Sequence, residues 1–193
     1  MQKREFITAA LAAAAVPAWA QSKPAKGLRG PALLTVTGAG VKANRGPFDP
    51  VRDQMMAKQK IRFELAHAFD YATLAALPAR RIRPTLEYDN KPHELSGPLL
   101  RDVLKAAGVT AAGGQLQMRA IDGYAPVIPL ADADRYGFIV ATTLDGQPMG
   151  LGGLGPLWAV YDADRHADMA ARPVDQRFAQ CPWGLYHIAV QAG

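Results

Sequence analysis

Cysteine is all but missing from this 193-residue chain, which carries a single one, Cys181. That rules out an intramolecular disulfide, a four-cysteine zinc site and Cys-x-x-Cys redox chemistry. Histidine is scarce too: His67, His93, His166 and His187 have no mutual ligand spacing, so no zinc motif can be read from them. No Lys/Arg run is longer than Arg80-Arg81, and no aromatics interleave with basic residues. The formal net charge of +5 is thus too dispersed for a nucleic-acid partner. No Gly-x-Ser-x-Gly elbow occurs, which removes the simplest hydrolase argument. No apolar run is long enough to span a bilayer, so membrane insertion is not expected.

What is present is a globular composition, 49% hydrophobic and 20% charged, with enough chain to bury a core. The N-terminus reads as an export signal: a basic Lys3-Arg4, an Ala-rich apolar stretch from Phe6 to Ala18, and an Ala18-Trp19-Ala20 cleavage site. Lys3-Arg4 also has the shape of a twin-arginine signal with Lys in the first position, although plain secretion is the simpler reading. The expected organisation is a signal peptide over 1–20, a flexible leader over 21–31 and one domain over 32–193, periplasmic or secreted.

Along that domain the pattern is strand-rich with short helices. Leu33–Gly38 predicts a strand, 39–50 a loop, and 51–58 a short helix opened by Asp49 and Pro50. Lys60–His67 alternates as a second strand with Ile61, Phe63 and Leu65 inward. Asp70 caps a helix carrying Leu74 and Leu77, stopped by Pro78. Arg81–Tyr88 reads as an edge or interrupted strand, because Pro84 cannot donate to a ladder. Ser96 is expected to cap a helix with Pro98 in its first turn and Leu99, Leu100, Val103, Leu104 and Ala107 on one face, closed by Gly108. Gln115–Ile121 is a strand that stops at an Asp122-Gly123 turn before Tyr124. Gly137–Leu144, Leu157–Tyr161 and Leu185–Val190 are further strands, and Asp145-Gly146 is a hairpin signal. The fold class is α+β, with mixed sheets and short helices.

Few residues carry chemistry. Gly150-Leu-Gly-Gly-Leu-Gly155 matches a dinucleotide pattern, but Pro156 and a strand follow where a helix N-terminus would have to face the phosphates. Asp162, Asp164, His166 and Asp168 alternate like metal ligands yet lack the glycine and distal glutamate of a calcium loop, and a solvated acidic loop is the preferred reading. Cys181 with His187 is a formal thiol–imidazole pair, set against the usual buried, inert free cysteine. Arg81 and Arg83 share one strand face and could grip an anion, with pairing to Glu87 or Glu64 as the plainer alternative. Asp122 and Tyr124 at a strand end form the best polar lining for a pocket.

In order along the chain, Leu34-Thr-Val-Thr-Gly38 with Asn44, Phe69-Asp70 with Leu74-Ala-Ala-Leu77-Pro78, Gly97-Pro-Leu-Leu-Arg-Asp-Val-Leu104, Ala120-Ile-Asp-Gly-Tyr124 with Ile128-Pro129, and Gly155-Pro-Leu-Trp158 resemble the sulfite-oxidase-like, molybdopterin-binding oxidoreductase domain. The match is to its short exported single-domain members. The resemblance implies a sulfite-oxidase-like α+β fold and, in catalytic members, a cysteine thiolate on molybdenum upstream of the segment matching Gly97-Pro98-Leu99. Here that stretch is Arg83-Pro84-Thr85-Leu86-Glu87, without cysteine. Thr85 or Glu87 would make a very different ligand from a soft thiolate. The expectation is therefore a domain that keeps the fold without its own metal chemistry. It would bind a small polar or anionic ligand, or another exported protein, through Asn44, Arg83, Asp122 and Tyr124. No catalytic or metal-ligating residue and no cofactor are expected. The alternative is a periplasmic molybdopterin oxidoreductase with a non-cysteine ligand.

Overall fold

The computed structural model describes residues 27–193; the expected signal peptide, its cleavage site and most of the leader lie outside them. In chain order the elements are β1 (Leu34–Gly38), α1 (Gln54–Lys58), β2 (Ala66–Phe69), α2 (Tyr71–Ala75), β3 (Ala79–Ile82), β4 (Leu95–Pro98), α3 (Leu100–Ala106), β5 (Gln115–Ala120), β6 (Val127–Pro129), α4 (Leu130–Tyr136), β7 (Ile139–Ala141), β8 (Thr143–Leu144), β9 (Gln147–Pro148), β10 (Trp158–Val160), α5 (Ala167–Ala170) and β11 (Leu185–Gln191). They form a five-stranded sheet in the order β2-β1-β11-β5-β6, a four-stranded sheet β3-β4-β8-β9 and a β7–β10 pair. This is the mixed α+β architecture expected. β1 and β11 run parallel, whereas every other pairing between these strands is antiparallel.

Alternation places Leu34, Val36, Leu116, Met118, Ile188 and Val190 of the large sheet in the main core, against Leu100, Val103 and Leu104 of α3 and the whole of β7 and β10. The other face of that sheet is closed by a smaller cluster of Met56, Ile61, Phe63, Ala66 and Tyr186. It also buries polar groups: Thr37 Oγ1 lies 2.9 Å from His187 Nε2, while His187 Nδ1 and Arg119 Nε have no partner. Burial, with the Arg119 charge adding to it, lowers the His187 pKa from 6.5 to about 4.

Several expected elements move. Ser96 is not a helix cap. It lies in β4, paired to Arg81 on one side and Thr143 on the other, and α3 starts only at Leu100. Gly97 shows why the sheet prevails, because a Cβ there would lie 2.0 Å from the Val140 carbonyl oxygen of β7. The strand lies against β7 at backbone contact, with an antiparallel bridge just beyond it at Leu99–Ile139, and only glycine fits there. The helix end is as expected. Gly108 sits at φ +95, its N–H donates to Lys105 O (2.9 Å), and Val109 N–H donates to Leu104 O (2.9 Å), satisfying carbonyls the last turn leaves open.

Residues 60–65 do not make the expected strand, and Leu65 is 58% exposed whereas Ala66 is fully buried. The 44–48 loop takes the ladder positions instead: Phe48 N–H donates to Phe63 O (2.9 Å) and Asn44 N–H to Ala66 O (3.2 Å). Of the expected Arg81–Tyr88 strand only Arg81 and Ile82 lie in a ladder, as the end of edge strand β3, which stops before Pro84; beyond it Thr85 makes an isolated bridge to Pro92. Asp70 caps α2 as expected, in a capping box with Thr73. The Asp145-Gly146 hairpin is also present, with both residues at positive φ between β8 and β9.

Candidate functional site

Three irregular segments meet at one end of β5. The first follows β3. Its backbone is held from far along the chain: Arg83 N–H donates to Asp162 Oδ2 (3.2 Å) and Thr85 N–H to Asp164 Oδ2 (2.7 Å). A turn closed by Leu86 N–H to Lys91 O (2.9 Å) and Asn90 N–H to Leu86 O (3.0 Å) then presents Glu87 and Tyr88. At the base of this loop His93 sits between Asp145 (2.7 Å) and Asp89 (3.1 Å), whose carboxylates raise its pKa.

The second segment is the turn ending β5. Ala120 N–H donates to Tyr124 O (2.8 Å), Tyr124 N–H donates to Asp122 Oδ1 (2.9 Å), and the Tyr124 hydroxyl donates to the Ala179 carbonyl. The third, Phe178–Gly184, is tied to β10 through Trp158 Nε1 donating to Cys181 O (2.9 Å) and Ala159 N–H to Pro182 O (3.2 Å). Ile121 N–H donates to Gly184 O (3.0 Å) and joins the last two segments.

Together they enclose a cleft of about 240 Å³. Its floor is the buried Ala120, Phe178 and Cys181, and its rim carries Glu87, Tyr88, Asp122, Tyr124 and Trp183. Tyr88, Tyr124 and Trp183 are 55%, 49% and 38% exposed and gather at one cleft, an exposed aromatic patch of the kind that marks an interaction site. Partial desolvation of its hydroxyl, with the Glu87 carboxylate beside it, raises the Tyr88 pKa to about 12. Burial likewise pushes the Cys181 thiol far above its ordinary range, so it is protonated and unreactive at neutral pH. Two further clefts, of about 270 and 300 Å³, are less open chemically. In the first, Arg45 and Asp53 already pair at 2.7 Å. In the second, Arg177 is spent on Asp164 (2.7 Å) and the carbonyls of Arg172 and Ala170.

Of the four residues nominated from sequence, the structure brings Asp122 and Tyr124 together and leaves the other two apart. Asn44 is a clamp on β2, donating to Ala68 O (2.9 Å) and accepting from Ala68 N–H (2.7 Å). Arg83 is exposed and is not among the lining residues. The alternating acids are a solvated run only in part: Asp164 and Asp168 are exposed as expected, whereas Asp162 is buried. Asp162 and Asp164 hold the 83–85 backbone, and Asp168 accepts from Tyr136 Oη (2.7 Å) and the Arg135 guanidinium (3.0 Å). His187 meets Thr37 rather than forming a pair with the cysteine. Sequence reasoning missed Tyr88 and Trp183. Trp183 lies between Pro182 and Gly184, where no strand or helix pattern would bury it, whereas Tyr88 falls at the end of the Arg81–Tyr88 segment, whose alternation reads as a strand.

Among the described residues no group of three or more His, Cys, Asp or Glu is placed to hold a metal ion, and no helix is long and apolar enough to cross a membrane.

The architecture is a sulfite-oxidase-like α+β fold. The structure is similar to that of the sulfane dehydrogenase SoxCD from Paracoccus pantotrophus, with a TM-score of 0.53 and 12% sequence identity. The likeness covers 82% of this chain but only 37% of that one, so the chain spans little more than a third of that protein's length. No family model matches the chain, and no curated protein does.

Held as the resemblance implies, a molybdopterin group would call for a thiolate on the metal, and its phosphate for cations. The 83–87 segment has no thiol, Cys181 is buried and protonated, and both charged residues of the cleft are carboxylates. The residues lining this cleft do not fit that group.

Proposed function

We propose that this chain is an exported binding domain on a sulfite-oxidase-like fold, which takes up a small polar ligand between Tyr88, Tyr124 and Trp183 without metal chemistry of its own. The carrying observation is the cleft itself. Three large aromatics stay exposed around about 240 Å³, fixed by backbone hydrogen bonds from three separate segments. That is a preorganised site of metabolite size, smaller than a drug pocket. Export rests on the Lys3-Arg4, Phe6–Ala18 and Ala18-Trp19-Ala20 pattern, and intact mass of the secreted chain starting at Gln21 would support it.

The test is elemental and pterin analysis of natively exported protein, followed by a metabolite screen read by side-chain NMR of Trp183 and Tyr124. Absence of stoichiometric molybdenum together with a ligand that shifts both residues supports the proposal. Stoichiometric molybdenum would overturn it in favour of a molybdopterin oxidoreductase with a non-cysteine ligand. A folded protein that responds to no small molecule would favour a surface for another exported protein.

A further inference from the structure

Resting on that cleft reading, we propose that the ligand is an organic cation, a quaternary ammonium or protonated amine of metabolite size. The argument is the pairing of ring faces with negative charge. The side chains lining the cleft that carry charge at neutral pH are the carboxylates Glu87 and Asp122, and among the described residues no Lys or Arg lines it. A phosphate or carboxylate ligand would enter against two like charges and find no guanidinium. The expected anion grip depended on Arg83, which does not line the cleft.

The rings supply the complementary half. An aromatic face is the negative end of a quadrupole and attracts a cation centred within reach of it. Tyr88 and Trp183 come from different segments and are more than a third exposed, so each still has surface to offer. Among the described ring contacts none joins Tyr88, Tyr124 and Trp183 to one another, so the three are not collapsed into a stack. Asp122 Oδ1 is occupied by the Tyr124 amide (2.9 Å), which fixes the carboxylate at the rim beside the phenol. Tyr124 in turn is fixed through its hydroxyl on Ala179, so its ring is held rather than free to swing. The floor of Ala120, Phe178 and Cys181 is apolar and suits the methyl groups of an alkylammonium better than the shell of water round a metal ion.

The experiment titrates the full mature chain with choline chloride and, separately, with 3,3-dimethyl-1-butanol, the neutral isostere in which carbon replaces the ammonium nitrogen. Sulfate and a panel of neutral sugars are run in parallel, all read by NMR of the Trp183 indole. Choline is expected to bind at least about tenfold more tightly than its isostere, since shape is shared and only charge differs. Trp183→Leu, read through the Tyr124 ring in place of the lost indole, and, independently, the more exposed Tyr88→Leu should each weaken choline by about tenfold, and Asp122→Asn by several-fold with the fold kept. If the isostere binds as well as choline, or the three variants bind choline like the parent, the cation inference is overturned. If sulfate or a sugar shifts Trp183 and choline does not, the inference fails while the cleft remains a binding site. If nothing in the set shifts Trp183, the cation inference fails, and the cleft reading stands or falls on the metabolite screen.

Discussion

Replacing Gly97 by alanine separates two descriptions of the Ser96–Gly108 stretch by the sign of its effect. If Ser96 capped a helix, Gly97 would be its first residue. Alanine there would relieve some of glycine's entropic disadvantage, which is up to about 1 kcal/mol in a helix. In the structure Gly97 lies in β4, where a Cβ would stand 2.0 Å from Val140 O, 2.7 Å from Val140 C and 2.8 Å from Ala141 Cα. Those are backbone atoms of β7, itself fully buried and paired to β10, so the obstruction is not a flexible side chain. The nearest contact falls short of an ordinary 3.4 Å separation by 1.4 Å (3.4 − 2.0). Relief requires one sheet to shift against the other. Overpacking of this kind costs about 1–3 kcal/mol or more. With a urea slope of about 2 kcal/mol/M, the unfolding midpoint should fall by about 0.5–1.5 M. Gly113→Ala is the control, since nothing lies within 4 Å of its Cβ and its midpoint should hold. A Gly97→Ala midpoint equal to or above the parent's would refute the close approach of β4 to β7.

Leu104→Ala, at a fully buried position of α3, should cost about 2–5 kcal/mol in the same denaturant assay, and a loss below about 0.5 kcal/mol would mean that its face points to solvent. Stability should be greatest near pH 6.5. His187 is held neutral, so the unfolded chain binds its proton first and stability falls by about 3 kcal/mol as pH drops from 6.5 to about 4. His93 has the opposite sign, because its raised value stabilises fully below 6.5 and the contribution is lost as pH rises through the folded value. Thermal melts across pH should show His187→Gln flattening the acid limb and His93→Gln the alkaline limb; unchanged limbs would discount these environments. Asp164→Ala should speed amide exchange at Thr85, whose N–H it accepts, whereas unchanged protection would show that the loop is held elsewhere.

The strands that alternate or run apolar to a glycine or turn, such as Leu34–Gly38, Gln115–Ala120 and the Phe138–Ala141 run, were plain in the sequence because their burial follows local period. So was the Asp70 cap, whose partner Thr73 is three residues away. The misplaced elements share a different cause. Ser96-Gly97-Pro98 has good helix-start chemistry, and only the close approach of β7, over forty residues later, makes it a strand. Likewise Leu65 lies in an alternating segment whose ladder is taken by the 44–48 loop. Half of the site was visible because Asp122 and Tyr124 are neighbours at a strand end. The other half comes from residues 87–88 and 183, and no local pattern joins them. Asp162 and Asp164 were misjudged for the same reason, since their acceptors' partners lie 79 positions upstream.

The parallel pairing of β1 with β11 also fixes an order in time. The strand in the middle of the largest sheet is the last described element to be synthesised. Until Leu185–Gln191 is made, β1 and β5 each lack a neighbour and present open edges that pair readily with other chains. Thr37 and His187, 150 positions apart, can meet only then, so this sheet cannot be completed piecemeal as the polypeptide lengthens. The middle of the largest sheet is thus the part that closes last, and its two flanking strands stay edges until the end of the chain is available.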